Sequence, residues 1–208
     1  SNYRLPATGR NLAKSWIDRA RDNIRANALA NQIIATKASP TDNQTEDLIK
    51  YIGFGASPLA NNMFREQPLA EWKIIADTFK NETTEKEYLS ARSTTQYAHY
   101  TPEWIAHTLW DAILQAVFSR GKILEPGCGT GLFIATTPEK IAKSVTFTGI
   151  EFDPIPAKIS YIIYPKTTIV TKNFCEIELE FAYERAIGNP SFSYTIVKYR
   201  MALGNKRL

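Results

Sequence analysis

Seven residues, Glu125-Pro126-Gly127-Cys128-Gly129-Thr130-Gly131, constrain this chain more than any other stretch. They follow the short apolar run Lys122–Leu124 and precede the apolar Leu132-Phe133-Ile134. Alternating glycines let the backbone adopt left-handed angles and let another group come close without meeting a Cβ atom. A strand, a glycine turn and a helix in succession open a βαβ unit. The residues that follow continue the pattern. Ser144–Ile150 and Thr167–Thr171 are rich in β-formers, Ala186-Ile187 is a fourth, short run, and helical stretches (Leu132–Ala142, Pro156–Tyr164) separate the first three. The chain from residue 121 to 208 is therefore expected to be a partial, Rossmann-like α/β domain of about four parallel strands. Its site should lie at their carboxyl ends.

The part before residue 121 has a different period. Leu12, Trp16, Ala20, Ile24 and Ala28 recur every fourth residue and predict an amphipathic helix over 11–37. Residues 38–46 are polar, contain Pro40 and read as a linker. A short helix is expected from Glu46 to Phe54. Another is expected near Pro68 with Leu69, Trp72, Ile75 and Phe79 inward, and a third from Thr101-Pro102 with Ile105, Leu109, Ile113 and Val117 on one face. The expected organisation is a basic helix and linker (1–45), a helical region (46–120) and the partial α/β domain (121–208).

Composition narrows the class. Apolar residues are 44% of the 208, aromatic residues 12% and charged residues 22%, which excludes a disordered, collagenous or coiled-coil chain. No apolar run is long enough to span a bilayer, and Arg4, Arg10 and Lys14 interrupt any leader, so a soluble, cytoplasmic chain without a membrane partner is expected. Cys128 and Cys175 are too few for a disulfide framework or a four-ligand zinc site. The net charge of +4 is uneven: residues 1–37 carry seven Lys/Arg against two acids, and residues 194–208 carry four Lys/Arg and none. Such a basic arm could contact phosphate, and a solvated helix face is the plainer reading of the same charges.

The glycine loop reads GxGxG, because Leu132 stands where a dinucleotide fingerprint would carry its third glycine. Glu151, 24 residues after Gly127, ends the next strand and is placed to grip the two hydroxyls of a ribose. A glycine loop without a pyrophosphate turn, together with a ribose acid, fits a nucleoside cofactor that lacks phosphates. S-adenosyl-L-methionine is the evident candidate.

Gly188-Asn189-Pro190-Ser191-Phe192 closes the fourth strand. The amino group on a base is a poor nucleophile, since its lone pair is delocalised into the ring. The side-chain oxygen of Asn189 and the carbonyl of Pro190, aimed at its hydrogens, favour a more pyramidal nitrogen. Phe192 offers a face on which an extruded base can stack.

These segments together resemble the N6-adenine-specific DNA methyltransferases in which cofactor motifs precede the catalytic one. They also resemble the methylase region of the large methylase–helicase polypeptides of plasmids and phages. The likeness is best over Tyr97–Phe192 and extends back to Tyr51-Ile52-Gly53-Phe54-Gly55. It implies a DNA-methylating transferase of the restriction-modification kind, with DNA adenine as target. The family's leading motif falls on His99–Ile105, so that Tyr100, Thr101 and Pro102 border the methionine end of the cofactor. Its glycine motif falls on Glu125, Pro126, Gly127, Cys128, Gly129 and Gly131, and its ribose motif on Gly149–Pro154 with Glu151 and Phe152. Its catalytic motif falls on Asn189, Pro190 and Phe192.

Three features depart from the family pattern. Asn173-Phe174 stands where an Asp-Phe pair usually meets the cofactor's adenine, and Ser191 replaces a second proline. Sixteen residues follow Phe192, too few for a whole fold of this kind. The chain is thus expected to be a fragment of a larger methylase, partnered by the rest of that polypeptide or by a second copy. Two other readings stay open: a protein glutamine N5-methyltransferase, whose amide nitrogen poses the same chemical problem, and a non-catalytic module that keeps the cofactor fold to bind a partner.

Overall fold

The computed structural model describes residues 1–95, 100–177 and 183–189. Four parallel strands, β1 (Gly121–Pro126), β2 (Val145–Glu151), β3 (Thr168–Thr171) and β4 (Arg185–Ala186), form one sheet in the order β3-β2-β1-β4. Gly121 lies opposite Val145, Glu151 opposite Thr171, and Leu124 opposite Ala186. The fold is a partial Rossmann-like α/β sheet behind a helical N-terminal region, as the alternation of periods led one to expect. The chain leaves β1 for β2 and β3 on one side and reaches β4 on the other. Loops above the carboxyl end of β1 are therefore drawn apart there, which makes this point the natural ligand crevice of such a sheet.

The helices are α1 (Trp16–Thr36), α2 (Asp42–Ile49), α3 (Ser57–Met63), α4 (Ala70–Glu82), α5 (Glu85–Thr94), α6 (Glu103–Gln115), the single turns α7 (Leu132–Ala135) and α8 (Glu139–Ala142), and α9 (Pro154–Ile163). α1 packs on α2, α4 and α9, so the helical region and the sheet domain share one core. Phe54, Phe64, Phe79 and Tyr88 form an aromatic cluster in that core, with centroids 4.7 Å apart for Phe54 and Phe79. Lys158 of α9 ties the layers together, donating to Glu87 of α5 and Asn31 of α1, each at 2.6 Å. No described helix is long and apolar enough to cross a membrane.

Several elements differ from their expected form. The supposed linker 38–46 contains most of α2, because Thr41 and Gln44 make a reciprocal capping box that starts the helix at Asp42. A second box, Thr84 with Glu87, starts the unforeseen α5, and Pro58 in the first turn starts the unforeseen α3. The helix expected over 132–142 breaks into α7 and α8, since Pro138 disfavours helical angles at Thr137. On α6 the buried face is Ala106 and Trp110 rather than the Ile105–Val117 stripe, and Val117 is 88% exposed. The indole N–H of Trp110 decides this, for it donates to the Phe133 carbonyl at 3.1 Å. On α1 the buried face includes Asn23 and Asn27 while Ala28 is exposed. A spacing of four overshoots the helical repeat, so the stripe drifts off the buried side. The run Tyr194–Tyr199, whose β-forming residues could add one strand, lies outside the described residues.

The first ten residues lie along the domain. The Tyr3 N–H donates to Ile163 and the Leu5 N–H to Ala135, both at 2.9 Å. Arg4 donates to the Thr137 carbonyl at 2.8 Å.

Candidate functional site

The crevice above β1 is built on the glycine loop. Gly127, Gly129 and Gly131 all have positive φ (63°, 54° and 73°). The three serve different ends. A Cβ at Gly131 would stand 2.3 Å from the Tyr164 ring, so this glycine is required by packing. A Cβ at Gly127 or Gly129 would meet nothing within 4 Å. Those two face open space, where a ligand can lie directly on the backbone. The loop is held from below: Tyr164 donates to the carbonyls of Thr130 and Gly131 at 3.0 and 2.8 Å, and Ser160 donates to Gly129 at 2.8 Å. Neither was evident as a support in the sequence, because both read as part of an ordinary helix.

Glu151, at the carboxyl end of β2, faces this loop. One carboxylate oxygen accepts from the Gly129 N–H at 2.6 Å and the other from the Asp153 N–H at 2.9 Å. Its pKa is raised by burial, against the pull of the N–H groups of Asp153, Gly129 and Phe152. Asp153 caps α9 by accepting from the Ile155 N–H, and burial together with the Glu151 charge pushes its carboxyl up to about 7. Phe152, between the two acids, is 56% exposed. Glu125 of β1 is 2% exposed, and its Oε2 has no partner. Burial drives its pKa well up, with the N–H groups of Phe133 and Ile134 opposing and the Glu151 charge adding to the rise. The Cys128 side chain is buried against Gly149, whose missing Cβ would stand 2.9 Å from the sulfur, so Cys128 offers the crevice only its backbone.

The opposite wall comes from the N-terminus of α6. The Tyr100 hydroxyl bonds to the Thr130 hydroxyl at 2.7 Å, tying this wall to the glycine loop. Thr101 Oγ1 accepts from the Asn189 amide nitrogen at 3.2 Å. Pro102 caps α6 without any side-chain hydrogen bond. The turn after β4 reaches the crevice because Ile187 N–H donates to Leu124 at 2.9 Å and because Gly188 lies against Pro126, where a Cβ would be 3.0 Å from the carbonyl oxygen. The crevice thus brings together Tyr100, Thr101, Pro102, Pro126, the glycine loop, Glu151 and Asn189. Asn173 lies just past the end of β3, capping a short 3-10 turn by accepting from the Cys175 N–H at 3.1 Å, with Phe174 half-buried beside it. Pro190 and Phe192 lie outside the described residues.

The basic N-terminal segment contributes a residue that charge counting hid. Arg10 stacks on the Tyr100 ring at 4.1 Å and donates through Nε to Glu103 at 2.8 Å. Arg19 and Arg21 are likewise bonded within the segment, to Ala13 and Asp18. Arg25 pairs with Asp47 at 3.0 Å. Arg21 and Arg25 remain more than half exposed, so those two pairs add little stability.

No family model matches the chain. The "defense against restriction protein B" of Escherichia phage P1 is 25% identical over 97 residues, and this match spans 45% of the chain but 4% of that protein. Among solved structures, the methyltransferase subunit of a type I restriction-modification system from Streptococcus thermophilus is 12% identical, with a TM-score of 0.40 over 82% of this chain and 44% of that one. The plantazolicin methyltransferase BpumL is also 12% identical, with a TM-score of 0.32 over 83% of this chain and 49% of that one.

Proposed function

We propose that this chain forms the cofactor-binding part of an S-adenosyl-L-methionine-dependent methyltransferase that acts on the exocyclic amino group of adenine in DNA. The observation that carries the proposal is the setting of Asn189. Its amide nitrogen is engaged by Thr101 at the mouth of the open glycine cradle, which leaves its carbonyl oxygen to accept from an incoming amine. An acceptor so fixed stabilises positive charge as it develops on the attacking nitrogen. Pro190 supplies a second acceptor through its carbonyl in this account, and Phe192 stacks on the target base.

The cradle fits the cofactor. The bare backbone at Gly127 and Gly129 admits a nucleoside at contact distance. Glu151, held in place by two N–H groups, has lone pairs left to accept from the ribose hydroxyls. The exposed Phe152 ring offers a flat apolar face to an adenine, with Asn173 and Phe174 at the rim. Tyr100, Thr101 and Pro102 border the methionine end, where the uncapped N-terminus of α6 presents free N–H groups. When bound, the cofactor supplies an electrophilic methyl group on its sulfonium. The match to a phage protein named for defence against restriction, a DNA-directed process, supports DNA as substrate over a protein glutamine. Sequence reading of the DNA falls, in this account, to the rest of a larger polypeptide or to a second copy.

The test is transfer of labelled methyl from S-adenosyl-L-methionine, using the longest polypeptide that carries this chain, with duplex DNA and a glutamine peptide offered separately. Label is expected in N6-methyladenine and should vanish with Asn189→Ala. Label in glutamine, or in neither substrate, overturns the proposal.

A further inference from the structure

Arg10 is unusual among the described cations. Its side chain is 3% exposed, yet Nη1 is buried and has no hydrogen-bond partner. A guanidinium carries five donors in a planar fork, and burying one of them unpaired is costly. Its position is set by three independent contacts. The backbone N–H and Nε of Arg10 both donate to the same Glu103 oxygen, at 3.1 and 2.8 Å. The guanidinium lies flat on Tyr100, and Tyr100 bonds to Thr130 of the glycine loop. Gly9 makes the approach possible, because a Cβ there would stand 2.3 Å from the Glu103 carboxylate. The guanidinium is thus fixed beside the first residue of α6, a thirteen-residue helix whose N-terminus no side chain caps.

An uncapped helix N-terminus and an unspent guanidinium donor at one place are complementary to an anion. Glu103 takes only two of the Arg10 donors, the backbone N–H and Nε, and the carboxyl groups across the crevice, Glu125, Glu151 and Asp153, offer an anion no other cation. We infer that Arg10 is a ligand-binding residue that, together with the N-terminus of α6, receives the α-carboxylate of the amino-acid end of the ligand in the glycine cradle. This rests on the cofactor proposed above and adds to it a residue of the N-terminal segment. The first ten residues then form a strap whose hydrogen bonds to Ala135, Thr137 and Ile163 hold Arg10 in the crevice wall.

The experiment compares two ligands that share the nucleoside and differ in the amino-acid end. S-adenosylhomocysteine has the carboxylate; 5′-methylthioadenosine lacks it. Affinities are measured by calorimetry for the unmodified chain and for Arg10→Gln. S-adenosylhomocysteine should weaken by about tenfold or more in Arg10→Gln, the scale of one charge-assisted bond. 5′-Methylthioadenosine should keep its affinity, which also reports that the crevice is folded. An equal, partial loss for both ligands, or no loss for either, overturns the role of Arg10. Should Arg10→Gln bind neither, the paired variant Arg10→Gln/Glu103→Gln, which strands no buried charge, decides by the same comparison. If the unmodified chain binds neither ligand, the cofactor proposal fails first, and the inference with it.

Discussion

At the scale of residues, the glycine loop separates packing from binding. Gly131→Ala combines left-handed strain with a clash against the fully buried Tyr164, and should destabilise the chain by about 3 kcal/mol or more. Gly129→Ala meets no neighbour and should cost about 1–2 kcal/mol of stability, the strain alone, while its methyl group intrudes where the cofactor is proposed to lie. Urea denaturation of the two variants, set beside cofactor titration of Gly129→Ala, checks the contrast. Asp153 provides a pH signature. Its carboxyl is raised to about 7 from 3.8, so the folded chain keeps a proton that the unfolded chain releases. The stability this contributes is present near pH 4 and is lost as the pH climbs through about 7. Asp153→Asn keeps an acceptor for the Ile155 N–H and removes the titration. Between those limits it should lose less stability than the parent, by about 2–4 kcal/mol. Denaturant midpoints taken at a series of pH values for both proteins measure this, and parallel curves contradict it.

At the scale of elements, buried polar side chains join the helical region to itself. Asn23 of α1 donates to the Gly53 carbonyl at 2.7 Å and accepts from the Ile52 N–H at 2.8 Å, fully buried. Asn23→Ala strands both groups and should cost about 2–4 kcal/mol in a denaturation experiment. The end of α6 offers the opposite case. Val117 has φ of 58° and is 88% exposed, so Val117→Gly loses little packing and relieves the strain; it should raise stability by about 1 kcal/mol. These two positions also mark where the sequence stopped being legible. The strands, the glycine turn and Glu151 declared themselves, since β-period, turn chemistry and an acid at a strand end are local signals. The capping boxes at Thr41 and Thr84 and the break at Pro138 are equally local, but they are carried by start and stop residues rather than by the apolar period. Asn23, Tyr164 and Arg10 were not legible in any local sense. What each does is set by a partner 30 to 93 residues away in the chain, as for Asn23 with Gly53 and Arg10 with Glu103.

At the scale of the whole molecule, the N-terminal segment, the helical layer and the sheet share one core rather than being strung in series. α1 packs on α9, Lys158 bridges three helices, and the first ten residues are tied to Ala135, Thr137, Ile163 and Glu103. The basic N-terminal segment lies against the domain, where Arg4 donates to Thr137 and Arg10 to Glu103, while Arg21 and Arg25 stay on a solvated face of α1. S-adenosyl-L-methionine is proposed to lie in the crevice above β1, and every group assigned to it except Pro190 and Phe192 belongs to the described residues. Calorimetric titration of the unmodified chain with that cofactor tests the claim most directly. The account predicts saturable one-to-one binding that Glu151→Ala weakens by about 1–3 kcal/mol, the cost of leaving buried polar groups unpaired. Absence of binding to the unmodified, folded chain at millimolar cofactor contradicts it.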